Sequence, residues 1–467
     1  MLTFFPKQIA RNGVVTYLVA LAAVAVIFPR FLMPLGFILL GLGYILLFFL
    51  LSNSLTRKWN SLTSKDFAWH VFLIGLLLRV MWLSASYFYY SSKYGIPFEQ
   101  LAMDALNYHL VASEWTEKPD LQSLLWVFFN AYGLSDSGYL IYLTTLYFPL
   151  NCNIFLARLC NAALSALTPV LIYRLGSRVM GEKTGRMAAI FCMLCPNFIH
   201  YCGLHLKENV MLCLEVAFLE RTDYLLRKQR VSVFVFIEAG FFLVSLFLFR
   251  TVLGAVAVLS LITCLMFSER RFAQKYRKFF MVVWFGLFAF YAAESPIASE
   301  VETYWEERGE NTVRKRNEQT LRGNLWAKYA TSAVMLPMIF VLPYSTMVEV
   351  PFQEEQLFLH AGNFVRNFLG IFALIALYVI LFKHKNWKAF TLVGTFLVEY
   401  LVVVGLSGFS NSERFLLPAY PLLLLFSAHG IANLDARTFQ ISKFWCVIVV
   451  LMEVAWAYFK LGSRGLV

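Results

Sequence analysis

The stretch Met33-Pro34-Leu35-Gly36-Phe37-Ile38-Leu39-Leu40-Gly41-Leu42-Gly43-Tyr44-Ile45-Leu46-Leu47-Phe48-Phe49-Leu50-Leu51-Ser52-Asn53 contains no charged residue. A helix needs about 20 such residues to cross the hydrocarbon of a bilayer. Only a segment that satisfies its own backbone hydrogen bonds survives there. Its neighbours read the same way, with spans at about 14 to 29 and about 69 to 90 on either side. The whole chain of 467 residues is 60% hydrophobic and 17% aromatic, with a mean hydropathy of +0.65. That is more apolar surface than one soluble core can bury, so the expected class is all-α: a polytopic bundle of transmembrane helices.

The basic residues set the expected topology. The net charge is +12, and the cations stand at the ends of apolar runs: Lys7 and Arg11, Arg57 and Lys58, Arg174 and Arg178, Arg227 and Lys228, Arg270 to Lys278, Lys383 to Lys388. Loops of this kind stay on the cytoplasmic side and meet anionic lipid, so the charge points to membrane lipids and not to nucleic acid. The basic segment Met1 to Asn12 leads into an apolar run without a small-residue cleavage site, which reads as a retained anchor and not a signal peptide.

Alternating these loops gives about 13 crossings. Further spans are expected at about 152 to 174, 184 to 203, 208 to 226, 231 to 249, 251 to 267, 279 to 294, 364 to 383, 389 to 407, 414 to 433 and 443 to 460. Two segments, 91–151 and 295–363, then lie outside the cytoplasm. The second contains the apolar stretch Tyr329 to Pro343. Counting it as a span would put His384, Lys385 and Lys388 outside, so it reads as a re-entrant or interfacial helix interrupted by Pro337 and Pro343. In the first outer segment, Leu101, Ala105, Tyr108 and Ala112 share one helical face, and Tyr139 to Leu150 reads as an apolar, aromatic helix along the membrane surface. No linker or repeat divides residues 1–467, which read as one membrane domain. The eight cysteines fall mostly inside apolar runs, as small packing residues.

Chemistry is sought where ionisable groups reach the outer ends of spans, because such groups are costly near lipid. Asp104 sits in Ala102-Met103-Asp104-Ala105-Leu106-Asn107-Tyr108 of the first outer segment. Lys207 and Glu208 lie in the turn Gly203 to Asn209, Arg250 ends a span, and Glu413 with Arg414 opens a later one. A carboxylate can take the proton of an acceptor hydroxyl that attacks an activated sugar. Fixed cations can hold the departing phosphate, and arginine does so with two parallel hydrogen bonds. A soluble nucleotide sugar stays in the cytoplasm, whereas a polyprenyl-phosphate donor can lie between helices and present its head outside. His109, His200, His205 and His360 lack the spacing of a metal site and read as interface residues. Glu215, Glu220, Arg221 and Asp223 read as closing the cytoplasmic end of their span by pairing with Arg227 or Lys228.

The chain resembles the membrane glycosyltransferases of the GT-C superfamily, in particular the bacterial relatives of protein O-mannosyltransferases and lipid A aminoarabinose transferases. The resemblance rests on Asp104 with Tyr108 and Ala112, on Ala157-Arg158-Leu159-Cys160-Asn161 through Tyr173-Arg174-Leu175-Gly176, and on Glu413-Arg414-Phe415-Leu416-Leu417-Pro418-Ala419-Tyr420-Pro421. It implies that Asp104 is the catalytic base, Glu208 a second-loop acid and Arg414 a donor-phosphate contact. Around them, Arg250, Lys207, Tyr108, Glu413 and Arg158 are the candidate substrate and phosphate contacts.

Three features depart from that pattern. Ala105 stands where many relatives carry a second acid, which favours a lone base over a metal site. A divalent metal would suit phosphate chemistry, but no ligand set in the sequence calls for one, and the cofactor is left open. The apolar hairpin of residues 14–53 is additional, and the chain ends after its last span without a soluble domain.

The implied activity is transfer of a sugar from a polyprenyl-phosphate donor to a glycan, lipid or protein acceptor. It would take place at the outer, periplasmic face of a bacterial inner membrane. A polymerase of lipid-linked oligosaccharides needs the same groups. A flippase or transporter is disfavoured because the charges sit at the outer ends of spans and not at broken helices near the midplane. The topology predicts that a cysteine placed at Ser332 is labelled by an impermeant maleimide from the outside. Labelling only from the cytoplasmic side would reverse the placement of residues 295–363.

Overall fold

The structure is a computed structural model that describes residues 4–99, 103–117, 134–228, 232–267, 274–279, 281–282, 286, 340–341, 343–351, 353–383, 387–406, 412–462 and 464–467. In chain order its helices begin with α1 (Lys7–Ile27), α2 (Leu35–Lys58), α3 (Ser64–Tyr94), α4 (Met103–Glu117) and α5 (Leu134–Leu150). They continue with α6 (Ile154–Met180), α7 (Glu182–Leu194), α8 (Pro196–Cys202), α9 (Glu208–Arg227), α10 (Val233–Phe249) and α11 (Thr251–Phe267). The last are α12 (Glu354–Tyr378), α13 (Thr391–Leu406), α14 (Tyr420–Ala432) and α15 (Ala436–Gly462).

Helix starts follow local chemistry. Thr63 Oγ1 accepts the Asp66 amide at 3.2 Å to begin α3, and Asn153 Oδ1 accepts the Leu156 amide at 3.1 Å to begin α6. Asp435 and Thr438 cap α15 reciprocally, each accepting the other's amide at 2.9 Å. Before α6, Asn151 and Cys152 take left-handed backbone at φ of 50° and 57°, which turns the chain sharply after Pro149.

Eight helices among the described residues are long and apolar enough to cross a membrane: Lys7–Ile27, Leu35–Ser61, Ser64–Tyr94, Ile154–Met180, Glu354–Lys383, Trp387–Gly405, Glu413–Ala432 and Ala436–Gly462. The expected spans at 231–249 and 251–267 appear as shorter apolar helices, Val233–Phe249 and Thr251–Phe267. That expected at 184–203 is broken at Cys195 and Pro196 into α7 and α8. The one expected at 208–226 is α9, which is not among the eight and whose Glu208, Glu215, Glu220 and Asp223 are buried beside apolar neighbours. The span at 279–294, most of the segment 295–363 and the position Ser332 lie outside the described residues.

The chain divides into two compact units, one of residues Met1–Lys58 with Leu259–Val467 and one of Trp59–Val258. In the first, α12 packs on α14, α2 and α15, and α1 packs on α2 and α15. Close approach requires small residues, as expected where lipid supplies no hydrophobic drive between helices. A Cβ on Gly430 would stand 1.9 Å from the Phe372 carbonyl oxygen, and one on Gly41 would stand 2.1 Å from His360 Nε2. Tyr17 and His360 hydrogen bond at 2.9 Å, and the Phe49 ring meets Phe368 edge-on at 5.2 Å. The hairpin of residues 14–53 is therefore part of this unit's core and not an appendage.

In the second unit α6 packs on α3, α7 and α9. Its far end is locked by Arg178, which bonds Glu220 at 2.7 Å and Asp223 at 3.2 Å. Arg227 joins Asp223 at 2.8 Å, as the sequence suggests, while Arg221 reaches Glu238 at 3.2 Å. Within α3, buried Arg79 bonds Ser165 Oγ at 2.9 Å and the Met193 carbonyl at 3.3 Å. In the first unit, Gly430→Ala should force α12 and α14 apart, at a cost of about 1–3 kcal/mol typical of overpacking. A lowered unfolding midpoint of the detergent-solubilised protein checks it, and an unchanged midpoint contradicts this packing.

Candidate functional site

Asp104, Tyr108, Arg158, Lys207, Glu208 and Arg250 belong to the second unit, and Glu413 and Arg414 to the first. Asp104 is exposed in the first turn of α4. Ala105, Tyr108 and Ala112 are buried, as the expected helical face requires, while Leu101 lies outside the described residues. Tyr108 follows Asp104 by four residues, so the two share a side of the helix.

Tyr108 Oη donates to Asp136 Oδ1 at 3.2 Å. Lys207 Nζ bonds that same oxygen and also donates to the Phe249 carbonyl at 2.9 Å. One residue beyond that carbonyl, Arg250 Nη2 stands 3.9 Å from Glu208 Oε1. Lys207 and Arg250 are each 5% exposed and Glu208 is fully buried, whereas the Asp136 side chain is 43% exposed. Four of the residues singled out from the sequence therefore share one polar chain that runs from α4 through Asp136 to α9 and Arg250.

The local fold explains this convergence. Gly203 lets the turn before α9 pass close to α3, since a Cβ there would stand 2.3 Å from Ser86 Oγ. Residues 203–207 are buried throughout, and Lys207 is the residue on which α9 begins. Glu208 then lies in the first turn of α9, where the exposed amides of a helix start favour negative charge. Burial, and then Arg250, hold the Lys207 ammonium below its ordinary value, against the pull of Asp136. A charge so placed is stabilised by any further anion that approaches it.

Arg158 does not reach for solvent. It is fully buried one turn into α6, donates to the Pro97 carbonyl at 2.6 Å, and lies over the rings of Phe98 and Tyr87 at 5.3 and 5.9 Å. It fastens the segment leading into α4. The helix α5, expected along the membrane surface, buries Tyr139, Leu140, Leu143 and Tyr147 against α4, α6 and α10.

Histidines read as separate interface residues are in part joined. His109 Nδ1 lies 2.8 Å from Tyr147 Oη, and that hydroxyl lies 3.0 Å from His205 Nε2. Burial, then Arg158, lower the affinity of His109 for a proton. The same two effects, followed by His109, depress that of His205 strongly. Tyr139 accepts from Asn161 Nδ2 at 3.1 Å beside them.

In the first unit, Glu413 is buried and accepts from Tyr420 Oη, with Arg366 Nη1 at 3.6 Å from its other oxygen. Arg366 also donates to Tyr420 Oη at 2.6 Å and to the carbonyl of Pro343, and Asn363 Oδ1 accepts from Tyr420 at 3.2 Å. Arg414 is half-buried next in the chain. Thus Glu413 answers Arg366 of α12. Sequence reading missed Arg366, although a cation inside the apolar run Phe364 to Phe368 is a signal in itself. It missed Asp136 too, one more acid in the segment 91–151.

Among the described residues no three His, Cys, Asp or Glu side chains gather as metal ligands would. No family model and no curated protein matches the chain. Lys207→Met should leave Asp136 and the Phe249 carbonyl without their shared donor and cost about 1–3 kcal/mol, the usual penalty for a lost buried partner. Asp136→Asn, which leaves the buried Lys207 ammonium without its carboxylate, should cost more, about 3–5 kcal/mol. Unfolding midpoints of the two variants check the order; a larger loss for Lys207→Met reverses it.

Proposed function

We propose that this chain is an integral-membrane glycosyltransferase that moves a sugar from a polyprenyl-phosphate donor to an acceptor outside the cytoplasm. The observation that supports it best is the shared carboxylate of Asp136, which ties Tyr108, one turn from exposed Asp104, to the buried cation Lys207. A base and a positive centre then belong to one small constellation, and glycosyl transfer from a phosphate needs both.

In this reading the acceptor hydroxyl gives its proton to the Asp104 carboxylate as its oxygen bonds to the anomeric carbon. The bond between that carbon and the phosphate oxygen breaks, and the polyprenyl phosphate leaves with both bonding electrons. Lys207 and Arg250 supply positive potential toward the departing phosphate, and buried Glu208 holds Arg250 in place. Tyr108 and Asp136 fix α4 against that centre. Arg414, in the other unit, is proposed as a donor-phosphate contact on the resemblance alone; its neighbour Glu413 is anchored by Arg366 and Tyr420, which holds the start of that turn. Long apolar helices suit a lipid-borne donor, whose tail needs no aqueous path. A bacterial inner membrane with the site on its periplasmic side, and a role in building cell-envelope glycans, complete the proposal.

The test uses the full chain in proteoliposomes with a panel of polyprenyl-phosphate-linked sugars and a panel of glycan, lipid and peptide acceptors, reading release of free polyprenyl phosphate. Asp104→Asn should slow release by about 10²–10⁴-fold, the usual contribution of a general base. Arg414→Ala should raise the donor KM by about 10–100-fold, the worth of a charged hydrogen bond. Turnover of the Asn variant at the wild-type rate, or no release from any donor, would remove the proposal.

A further inference from the structure

Among the described side chains of α4, Ala105, Tyr108 and Ala112 are buried, and the Tyr108 ring meets Tyr139 edge-on at 5.0 Å. At about 100° per residue, Tyr108 and His109 stand on opposite edges of the face those alanines define. Tyr108 reaches Asp136, and His109 reaches Tyr147 and through it His205. We propose that His109 is a positioning residue whose neutral imidazole, bonded through Tyr147 to His205, locks α4 and so holds Asp104 in place. The consequence for turnover rests on the reading of Asp104 as the base, whereas the lock rests on these contacts alone.

Proton counting shows why the neutral form is required. A single hydroxyl between two ring nitrogens donates to one and accepts from the other. His205 Nδ1 is buried and makes no hydrogen bond among the described residues. An orphaned buried N–H is rarer than an orphaned acceptor, so the His205 proton is assigned to Nε2, where it meets Tyr147. Tyr147 then donates to His109 Nδ1, and the proton of His109 sits on Nε2. Both hydrogen-bond contacts of the His109 ring, with Tyr147 and with Ser113 Oγ at 3.5 Å, fall on Nδ1.

A proton added at Nδ1 removes the acceptor that Tyr147 uses. The hydroxyl then accepts from His109, and either its own proton or that of His205 is left without a partner. The charged and titratable groups around His109 are Tyr147 and Tyr139 of α5, His205, and Arg158 of α6 with Glu99 near it. On α4 itself Asp104 and Glu114 are exposed.

Burial and Arg158 hold His109 below its ordinary value of 6.5. A base depressed in the folded state contributes stability that is fully present above about 6.5 and is lost as pH falls through the folded value. The lock should therefore hold at neutral pH and open on acidification.

Hydrogen exchange of the full chain in detergent, corrected for intrinsic rates, tests this on peptides from residues 103–117. Between about pH 7.5 and about pH 5, wild-type protection of α4 should fall by about threefold to tenfold, the worth of one hydrogen bond. His109→Gln should abolish that step, and Tyr147→Phe should lower protection at both pH values. Peptides from α6 report whether each variant is folded; if Tyr147→Phe is not, His109→Gln decides alone. An equal step in wild type and His109→Gln, or full protection in a folded Tyr147→Phe, overturns the proposal. If Asp104→Asn retains turnover while the exchange step appears, the lock stands and the catalytic reading falls. Loss of turnover without the step has the opposite meaning.

Discussion

Lipid offers no hydrogen bond, so a polar side chain carried into the bundle gains most from an answer within the protein. Arg366 meets Glu413, Tyr420 and backbone carbonyls; Arg79 meets Ser165 and two carbonyls; Arg178 meets Glu220 and Asp223. Removing one member of such a group strands the other in a medium that penalises charge. These contacts also fix the register of helices whose apolar faces are otherwise interchangeable. The glycines at positions 41 and 430 add a steric constraint of the same kind, since only their missing side chains allow the helices to approach so closely.

The same constraint shapes the region around α4. Lys207 is buried to the extent that its ammonium needs several oxygens, and it draws them from Asp136 and from the carbonyls of Ser135 and Phe249. That requirement brings the start of α5, the start of α9 and the end of α10 to one place. Tyr108 uses the same Asp136 oxygen, and α4 is thereby attached to a pre-formed polar core. On the helix's other edge, His109 meets a second group built from Tyr147 and His205. An exposed acid on a helix held between two polar supports is placed by both, and loss of either support loosens it.

How far the sequence could be read depended on the kind of signal. Long apolar runs announced α1, α2, α3, α6 and α12 to α15, because a bilayer sets helix length directly. The runs at 184–203 and 208–226 were harder: one is interrupted at Pro196 and the other carries four buried acids, so hydropathy alone blurs crossing helices with polar core helices. The acid at position 104, the Lys207-Glu208 turn and Arg250 stood out as charges beside apolar runs. Asp136, Tyr147 and Arg366 did not, because nothing in linear order tells which charge or hydroxyl will be opposite another.

The sequence by itself determined a helical membrane protein, the positions of its long apolar segments, and a short set of ionisable residues that lipid makes costly. Those follow from composition and spacing, which act locally along the chain. Only the tertiary structure decided that Lys207 is answered by Asp136, that Glu413 meets Arg366, and that His109 and His205 share one tyrosine. Such pairings join residues tens of positions apart, and they are set by which helices can approach closely enough to satisfy one another's buried charges.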